Sequence, residues 1–510
     1  MGDLTIMGIL DLLLQVSSSV SLLGALVVLL LIYVISISFS PKDNRKGPPG
    51  PKPLPLFGNF LQVDFKSFDK SLMQLSKKYG SVFTFYLGPK KVVVLAGYKT
   101  VKEALVNYAE EFGDRDQPRI MTEFIKGHGL IWTNGELWKA MRRFTLTNLR
   151  DFGMGKKACE DKILEECHHL IGVLKKFKEQ PFATTRPLGH AFANIISSMV
   201  FGNRFEYDDP QFSSLIDSMQ RRNQILGSFG MTVYNLFPRL FWWSASRKTF
   251  LQLGADSKKQ NLQLLSVLKE TLNPEKCRGF VDAFLVHKKK LEESRVTDDH
   301  FQDDNLLGMV FNLFTGGTET GTNTLRWGLL FLAKYPKIQD QVHEEVSRVV
   351  GSRPVQMGDR KNMPFTNAVI HETQRLGNIT PLGLPHKTSR DVTFQGYFIK
   401  KGTTVYTLLT SVLFDESEWE KPQSFHPAHF LDKDGNFVKR DAFMAFSAGR
   451  RACPGESLAR MELFLFITTL LQHFRFTPPL GVSEDELDLT PFQHLGLEPL
   501  PHKLCAVSRA

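Results

Sequence analysis

Cys453 lies in a short segment whose composition could present a thiolate to a ligand. Residues 446–455 read FSAGRRACPG, and a predicted helix begins directly behind them at Glu456. The N-terminus of a helix carries a partial positive charge, which stabilises a thiolate close to it. The segment therefore predicts a cysteine that binds a cofactor through sulfur. The alternative is a cysteine that is buried only for packing.

The neighbours of Cys453 favour a flat, anionic ligand. Gly449 and Gly455 allow tight turns and a close approach of the backbone to a ligand. Pro454 suits a first helical turn, and Arg451 is placed to neutralise an anionic group.

A second candidate site lies in residues 305–335, which have the apolar period of a long helix. Gly316, Gly317 and Gly321 lie inside it, and each glycine costs about 1 kcal/mol relative to alanine. Some local requirement must offset that cost. One alternative is a glycine seam that packs against a neighbouring helix. Another is a second membrane span, against which the charge of Glu319 argues.

A carboxylate and a guanidinium occur three residues apart in the predicted helix 363–376. Glu372 and Arg375 share one helix face there and can form an ion pair. Alone, this spacing indicates no specific function.

The remaining pattern is that of a folded, mainly helical protein. Of its 510 residues, 42% are hydrophobic and 23% are charged, which is typical of a globular chain. Helical periodicity covers six segments, at 155–177, 255–273, 305–335, 338–350, 363–376 and 456–474. Strand patterns are fewer: 81–87 and 91–96 form a predicted hairpin, and 392–408 alternates around two glycines. The fold class expected is therefore mainly α with a small β-sheet region.

The N-terminal region predicts a membrane anchor. Residues 20–39 are apolar and uncharged, and they are long enough for a helix across a hydrocarbon core of about 30 Å. Lys42, Arg45 and Lys46 follow, which places the rest of the chain on the cytosolic side. The proline-rich residues 46–55 form an expected stiff hinge between an anchor at 1–45 and one large domain at 56–510.

Cysteine usage and charge narrow the compartment and the partners. The five cysteines are odd in number and mostly far apart, which argues for a reducing compartment rather than a disulfide framework. The formal net charge is +10, so the surface should attract anions. No basic run has the length of a nucleic-acid-binding tail.

At this point a family resemblance becomes clear. Residues 446–455 match the pattern F-x-x-G-x-R-x-C-x-G, which resembles the haem-binding signature of the cytochrome P-450 monooxygenases. The chain is most similar to the microsomal family two, K subfamily of fish. The resemblance implies the P-450 fold, a haem-binding catalytic domain at 56–510, and a haem iron ligated by the Cys453 thiolate.

The resemblance also assigns site residues. It implies that 316–320 bends over the haem, with Thr320 and Glu319 handling protons and Gly316 where the family often has alanine. It makes Glu372 and Arg375 a structural pair, with His429 where many members carry arginine, and Phe446 a structural residue of the signature. The implied haem-propionate partners are Trp138, Arg142, Arg115, His386 and Arg451. The implied pocket positions are Ile131, Trp132, Asn312, Gly316, Thr380, Gly383 and Leu384. These positions are mostly apolar, and no buried cation is evident among them.

The implied activity is insertion of one oxygen atom from O2 into a hydrophobic substrate such as a xenobiotic, a fatty acid or a steroid. No flavin or NADPH module is recognised, so electrons are expected from a separate NADPH–cytochrome P-450 reductase, with cytochrome b5 as a further partner. The expected location is the endoplasmic reticulum membrane, single-pass, with the catalytic domain cytosolic. A basic patch is the expected docking surface: Lys139, Arg143, Arg150, Lys439, Arg440 and Arg450.

Two alternatives stay open. One is a haem-thiolate isomerase or peroxide-using enzyme that needs no reductase. The other is a catalytically silent membrane haem-binding protein.

Overall fold

A computed structural model describes residues 45–152, 156–295, 299–494 and 496–509, together with positions 21, 24 and 27. The predicted anchor at 20–39 lies outside the described residues, apart from those three positions. No helix in the described part combines the length and the hydropathy of a bilayer span.

The described chain is mainly helical. Its helices are α1 Phe68–Tyr79, α2 Tyr98–Lys102, α3 Arg119–Ile125, α4 Gly135–Asp151, α5 Lys157–Lys175, α6 Thr185–Val200, α7 Pro210–Leu226, α8 Phe229–Leu236, α9 Ala245–Glu270, α10 Phe280–Glu293, α11 Asp303–Lys334, α12 Pro336–Val349, α13 Pro364–Gly377, α14 Thr410–Leu413 and α15 Glu456–His473. A π-helical turn, Glu103–Asn107, continues α2.

The strands are short. They are β1 Val82–Leu87, β2 Lys90–Ala96, β3 Asp114–Arg115, β4 Phe182–Ala183, β5 His386–Lys387, β6 Val392–Phe394, β7 Tyr397–Ile399, β8 Thr404–Leu408, β9 Phe474–Thr477, β10 Pro491–Gln493, β11 Leu497–Pro499 and β12 Lys503–Ser508. The largest sheet has the order β1-β2-β8-β5-β3, in which β2 and β8 run parallel and the other pairs antiparallel. This sheet brings Arg115 of β3 opposite His386 of β5.

Helix α11 runs through the core. It packs against α6, α13 and α15, so side chains on several of its faces are buried. Helix α15 begins directly behind Cys453 and is almost entirely buried from Leu458 to Leu471. The core therefore holds in place both segments that carry the candidate chemistry.

The six predicted helices and the predicted hairpin are confirmed, with ends that differ by a few residues except at α9, which begins ten residues earlier than predicted. Amphipathic helices such as α6 and α7 were not predicted. In α6, most positions are buried, and the buried positions include the polar residues His190, Asn194 and Ser197, which obscure the apolar pattern in the sequence.

The proline-rich segment lies against the sheet. The Thr84 hydroxyl donates a hydrogen bond to the Pro48 carbonyl at 3.1 Å, and the Thr84 N–H donates to the Pro49 carbonyl at 2.6 Å. A Cβ on Gly50 would overlap the Thr84 carbonyl, so this close approach requires glycine. The direction in which the chain leaves the domain is therefore set by β1.

Candidate functional site

The loop that carries Cys453 is shaped by one glycine in particular. Residues Gly449–Arg451 form a 3₁₀ turn, and the Cys453 N–H donates to the Phe446 carbonyl at 3.0 Å. Gly449 has φ +70°, and a Cβ there would overlap the Leu105 carbonyl. A side chain is therefore excluded for two reasons at this position. Gly455 has an ordinary φ of −92°, and its Cβ would lie 3.8 Å from the Cys453 sulfur.

The Cys453 side chain is exposed, although its thiol is crowded by protein atoms on most sides. Burial raises the pKa of the thiol, and the Glu456 carboxylate adds to the increase. The backbone N–H groups of Gly455 and Glu456 and the Arg142 guanidinium lower the pKa but do not outweigh burial. The predicted stabilisation of the thiolate by the helix N-terminus is therefore present, but alone it does not bring the pKa of Cys453 below its usual value. A metal cation on the sulfur would complete deprotonation.

Three arginines, which we call the arginine cluster, converge beside this loop. They are Arg115, Arg142 and Arg451, and the Arg451 guanidinium carbon lies 3.8 Å from the ring centre of Trp138. Arg451 donates to the Gly113 carbonyl at 2.8 Å, Arg142 to the Ala452 carbonyl at 2.9 Å, and Arg115 to the Leu384 carbonyl at 2.7 Å.

Asn134 organises the cluster and was not predicted. Its side-chain oxygen accepts from the Arg115 backbone N–H at 2.7 Å and from the Arg451 guanidinium at 2.8 Å. The only sequence signal was its place before the glycine that begins α4.

The donor set of the cluster fits the two carboxylates of a haem. Within the described residues, none of the three guanidiniums forms an ion pair with a carboxylate within 4 Å. Burial lowers the pKa of Arg115 and of Arg451 to about 9, with a neighbouring arginine adding to each shift. Guanidiniums stay charged at neutral pH, and buried positive charge is unfavourable unless it is paired. Anionic groups at this place would relieve that cost.

His386 lies in the same layer and is buried. Its Nδ1 is 2.7 Å from the Phe112 carbonyl, which can only accept, so Nδ1 carries the proton. Burial, with Arg115 and Arg451 nearby, holds the pKa of His386 well below its usual range. The ring is therefore neutral, and Nε2 is an acceptor.

Three of the glycines of α11, at positions 316, 317 and 321, serve two purposes. A Cβ on Gly317 would overlap Ile196, and a Cβ on Gly321 would overlap the Phe192 ring. Both positions therefore pack closely against α6, as the glycine-seam alternative proposed. A Cβ on Gly316 would meet nothing within 4 Å, and Thr320, one turn later, is exposed. This side of α11 borders open space.

We call Asn312, Gly316, Glu319 and Thr320 the Gly316 face of α11. The Thr320 hydroxyl donates to the Gly316 carbonyl at 2.6 Å, so its proton is engaged and its lone pairs are free. Glu319 is mostly buried, and its Oε1 has no hydrogen-bond partner among the described residues. Burial raises the pKa of Glu319 to about 7, with a contribution from Glu498, while Arg326 and Asn223 oppose the increase. Glu319 can therefore gain or lose a proton near neutral pH.

The predicted pocket positions are partly brought together. Ile131, Trp132 and Leu384 belong to one apolar cluster with Phe311 of α11. The Asn312 side-chain oxygen accepts from the backbone N–H groups of Leu130 and Ile131 at 2.7 and 2.9 Å, so Asn312 ties this loop to α11.

Thr380 and Gly383 lie in the turn before Leu384. The Gly383 N–H donates to the Thr380 carbonyl at 3.0 Å. Gly383 has φ +59°, and its Cβ would lie 2.9 Å from the Thr407 hydroxyl. At this position glycine serves the turn, and Thr380 participates through its backbone.

The Glu372–Arg375 pair is buried and closed by His429. The carboxylate and guanidinium form two hydrogen bonds of 2.7 Å, and both side chains are inaccessible. His429 Nε2 accepts from the Lys421 N–H at 3.1 Å, so Nδ1 carries the proton and donates to Glu372 at 3.2 Å. Burial alone would raise the pKa of Glu372, but these hydrogen bonds hold it below its usual range. Histidine thus takes part where many members of the family carry arginine.

The predicted basic patch divides into two groups. Arg440 and Arg450 are half-buried and form ion pairs with Glu420 and Glu110. Lys139 is exposed but pairs with Glu136. Arg143, Arg150 and Lys439 are exposed and have no charged partner within the described residues.

Comparison with known proteins identifies the family that this sequence matches. The family model described as Cytochrome P450 matches residues 48–506. Cytochrome P450 2K4 of Oncorhynchus mykiss is 59% identical over 503 residues, covering 99% of this chain and 100% of the relative. Cytochrome P450 2K6 of Danio rerio is 53% identical over 498 residues, covering 98% and 99%. Cytochrome P450 2F2 of Rattus norvegicus is 46% identical over 487 residues, covering 94% and 98%.

The match spans nearly the whole chain, and the identity is higher with K-subfamily relatives than with F-subfamily ones. Members of this family bind haem through a cysteine thiolate and act with a redox partner on hydrophobic compounds. The chain therefore belongs to the cytochrome P450 family of haem-thiolate monooxygenases, within the K subfamily of the microsomal family 2.

Proposed function

We propose that this chain is a membrane-anchored monooxygenase that inserts one oxygen atom from O2 into xenobiotics, fatty acids or steroids. The observation that carries the proposal is the arginine cluster beside Cys453. Its three guanidiniums have no carboxylate partner in the described part of the chain, and they therefore fit a dianionic haem next to a thiolate ligand. The haem supplies oxygen activation once it is bound and reduced.

In this proposal, Cys453 ligates the iron, and Arg115, Arg142, Arg451 and Trp138 hold the propionates. His386 joins them only as an imidazolium, because its neutral ring donates through Nδ1 to Phe112 and presents an acceptor at Nε2. A nearby carboxylate favours the charged imidazole. Haem binding should therefore be accompanied by proton uptake at His386.

The Gly316 face of α11 handles oxygen and protons. The missing side chain at Gly316 leaves room beside the helix. The Thr320 oxygen, whose proton is engaged by Gly316, accepts a hydrogen bond and so positions a water. Glu319, with its pKa of about 7, exchanges a proton with that water.

The redox partner we propose is NADPH–cytochrome P-450 reductase, with cytochrome b5 as a second partner. Arg143, Arg150 and Lys439 supply exposed positive charge that can meet an acidic partner surface. Lys139, Arg440 and Arg450 contribute less, because carboxylates of this chain already neutralise them.

We further propose that residues 1–45 anchor the chain in the endoplasmic reticulum membrane, with 46–55 as hinge and 56–510 as the cytosolic catalytic domain. Exposed apolar side chains support contact with lipid. Leu61 is 77% exposed, and Trp242 and Trp243 are 65% and 66% exposed. The ring of Phe65 lies 5.9 Å from that of Phe229, so the segment after the hinge adjoins the start of α8.

The test is reconstitution of the haem-loaded chain with reductase, NADPH and a panel of hydrophobic compounds. Oxygenated product formed in step with NADPH consumption supports the proposal. Turnover with peroxide alone, or isomerised product without NADPH, would favour the isomerase or peroxide-using alternative. A normal CO spectrum without turnover of any compound would favour a silent haem-binding protein.

A further inference from the structure

A cavity of about 260 Å³ lies away from the proposed haem and oxygen sites. It is formed by the 3₁₀ turn Met357–Asn362, helix α13, the segment 430–443 and the first turns of α15. None of its lining residues belongs to the arginine cluster or to the Gly316 face. Its volume far exceeds the roughly 15 Å³ that one water requires, so it has room for a small organic molecule.

The lining of this cavity is cationic. Four of the lining side chains carry positive charge: Arg360, Lys439, Arg440 and Arg460. The one lining carboxylate, Glu456, is already paired with Arg460 at 2.8 Å. Arg440 is paired with Glu420. Within the part of the chain that the structure describes, Arg360 and Lys439 are therefore left without a carboxylate partner.

Arg360 is held by an amide rather than by a carboxylate. Its Nε and Nη2 donate to the Asn367 side-chain oxygen at 3.1 and 2.8 Å, and Nη1 donates no hydrogen bond to any described residue. Burial lowers the pKa of Arg360 to about 10, and nearby Arg460 adds to the shift. An amide oxygen accepts hydrogen bonds but carries no charge, so the cost of desolvating this guanidinium is not offset by an ion pair. An anion in the cavity would offset it.

His371 adds no charge to the cavity. Its Nδ1 is 2.7 Å from the Asn367 carbonyl and carries the proton, while Nε2 accepts from Arg460 at 2.6 Å. Burial lowers the pKa of His371 to about 3, so the ring is neutral at physiological pH. The ring thus orients Arg460 and leaves Arg360 and Lys439 as the cations available to a ligand.

Three phenylalanines supply an apolar wall. The rings of Phe430 and Phe437 are nearly parallel with centres 6.3 Å apart, and Phe443 meets Phe430 edge-on at 5.4 Å. Aromatic ligands pack favourably against such rings, in stacked or edge-to-face arrangements. The cavity therefore combines two unpaired cations with an aromatic surface.

We propose that this cavity binds small aromatic phosphate monoesters, with the phosphate held by Arg360 and Lys439 and the ring against the phenylalanines. A phosphate monoester carries about two negative charges at neutral pH, which matches the two unpaired cations. Guanidinium and ammonium groups both bind phosphate oxygens through charge-assisted hydrogen bonds. The inference does not depend on the proposed oxygenation, because the cavity shares no residue with the haem and oxygen sites.

The test measures binding of phenyl phosphate to full-length haem-loaded protein by isothermal titration calorimetry. Phenol and inorganic phosphate are the two halves of this probe, and phenyl phosphate should bind at least about tenfold more tightly than either. Arg360→Gln should weaken phenyl phosphate binding by about tenfold or more, because it removes a charged donor. Lys361→Gln, at the exposed neighbouring position, is the matched control and should change the affinity by less than about twofold.

Asn367→Asp is the sharper variant, because it exchanges an amide for a carboxylate of nearly the same shape. The new carboxylate would neutralise Arg360 from within the protein, and phenyl phosphate binding should fall by about tenfold or more. The free energy of unfolding should not fall, since an ion pair replaces a neutral contact. Asn362→Asp adds the same charge at an exposed position of the turn Met357–Asn362 and should have less than about a twofold effect.

Unchanged affinity in both Arg360→Gln and Asn367→Asp would overturn the proposal. Phenol or inorganic phosphate that binds as tightly as phenyl phosphate would overturn it without any variant. If wild-type protein fails to bind phenyl phosphate while Asn367→Asp weakens reductase binding, the cavity belongs to the acidic partner and the proposal is wrong. Failure of the proposed oxygenation would appear separately, as absent product in a protein that still binds phenyl phosphate.

Discussion

The arginine cluster and the Gly316 face of α11 differ in how completely their polar groups are paired. In the cluster, each guanidinium donates to a backbone carbonyl, and within the described residues no buried side-chain atom of the three arginines lacks a partner. On the Gly316 face, Asn312 Nδ2 and Glu319 Oε1 are buried and have no hydrogen-bond partner among the described residues. Folding alone orders the arginine cluster, while the Gly316 face keeps hydrogen-bonding capacity for ligands and water.

Replacing the sulfur ligand should have the largest effect. Cys453→Ser should abolish the red-shifted ferrous–CO Soret band and monooxygenase turnover, because a serine hydroxyl is a much weaker ligand for iron than a cysteine thiolate. Absorption spectra of the reduced CO complex measure this. Cys277→Ser, at a half-buried cysteine outside the loop, is the control and should leave the band intact. A normal band in Cys453→Ser would refute the assignment of the ligand.

Two glycine variants separate the faces of α11. Gly321→Ala should destabilise the protein by about 1–3 kcal/mol through overpacking against Phe192. Gly316→Ala should not, because its Cβ meets nothing and alanine favours helix by about 1 kcal/mol. The free energy of unfolding and substrate binding are measured together. We expect Gly316→Ala to alter binding, and equal destabilisation by both variants would remove the distinction between the faces.

Thr320→Ala should affect coupling more than haem binding. Without the hydroxyl, the water that we propose at this position loses its acceptor, and proton delivery becomes less reliable. The variant should keep its CO spectrum and much of its NADPH consumption, while product per NADPH falls and hydrogen peroxide rises. Thr324→Ala, whose hydroxyl also donates one turn back, to the Thr320 carbonyl, is the matched control. Equal coupling in wild type and Thr320→Ala would contradict the role.

Glu319 predicts a pH dependence. Its folded-state pKa of about 7 lies above its unfolded value, so folding favours the protonated form, and stability should decline as pH rises from about 4.5 toward 7. Coupling should decline over the upper part of that range, as the proton is lost. Glu319→Gln should flatten both profiles, with Glu498→Gln as a control that shifts the midpoint down only slightly. Unchanged profiles in Glu319→Gln would exclude Glu319 as the titrating group.

Reversing exposed charge should give the smallest effect. Arg143→Glu with Lys439→Glu should slow first-electron transfer at low salt and leave the CO spectrum intact, because exposed charge pairs are screened over about 8 Å at physiological ionic strength. Reversal of Lys401, which is exposed in the loop before β8, is the control. Stopped-flow reduction at two salt concentrations measures the rate. An unchanged rate would mean that these cations are ordinary solvated surface charges with no part in docking.

Local sequence determined the parts of this protein that depend on residue type within one segment. The cysteine loop, the long glycine-containing helix, the Glu372–Arg375 spacing and the hairpin at β1–β2 were all legible, because turn chemistry and helical period act over a few residues. Which face of a helix is buried and which is exposed was harder to predict from the sequence. Helix α6 escaped prediction because its buried positions include the polar residues His190, Asn194 and Ser197, which interrupt the apolar pattern.

Only the tertiary structure decided which groups meet. It showed that Gly317 and Gly321 pack against α6 while Gly316 borders open space, since the three look alike in sequence. It joined Asn134 to two arginines and closed the Glu372 pair with His429. Burial and long-range partners set the pKa and pairing of such groups, and neither is a property of neighbours along the chain.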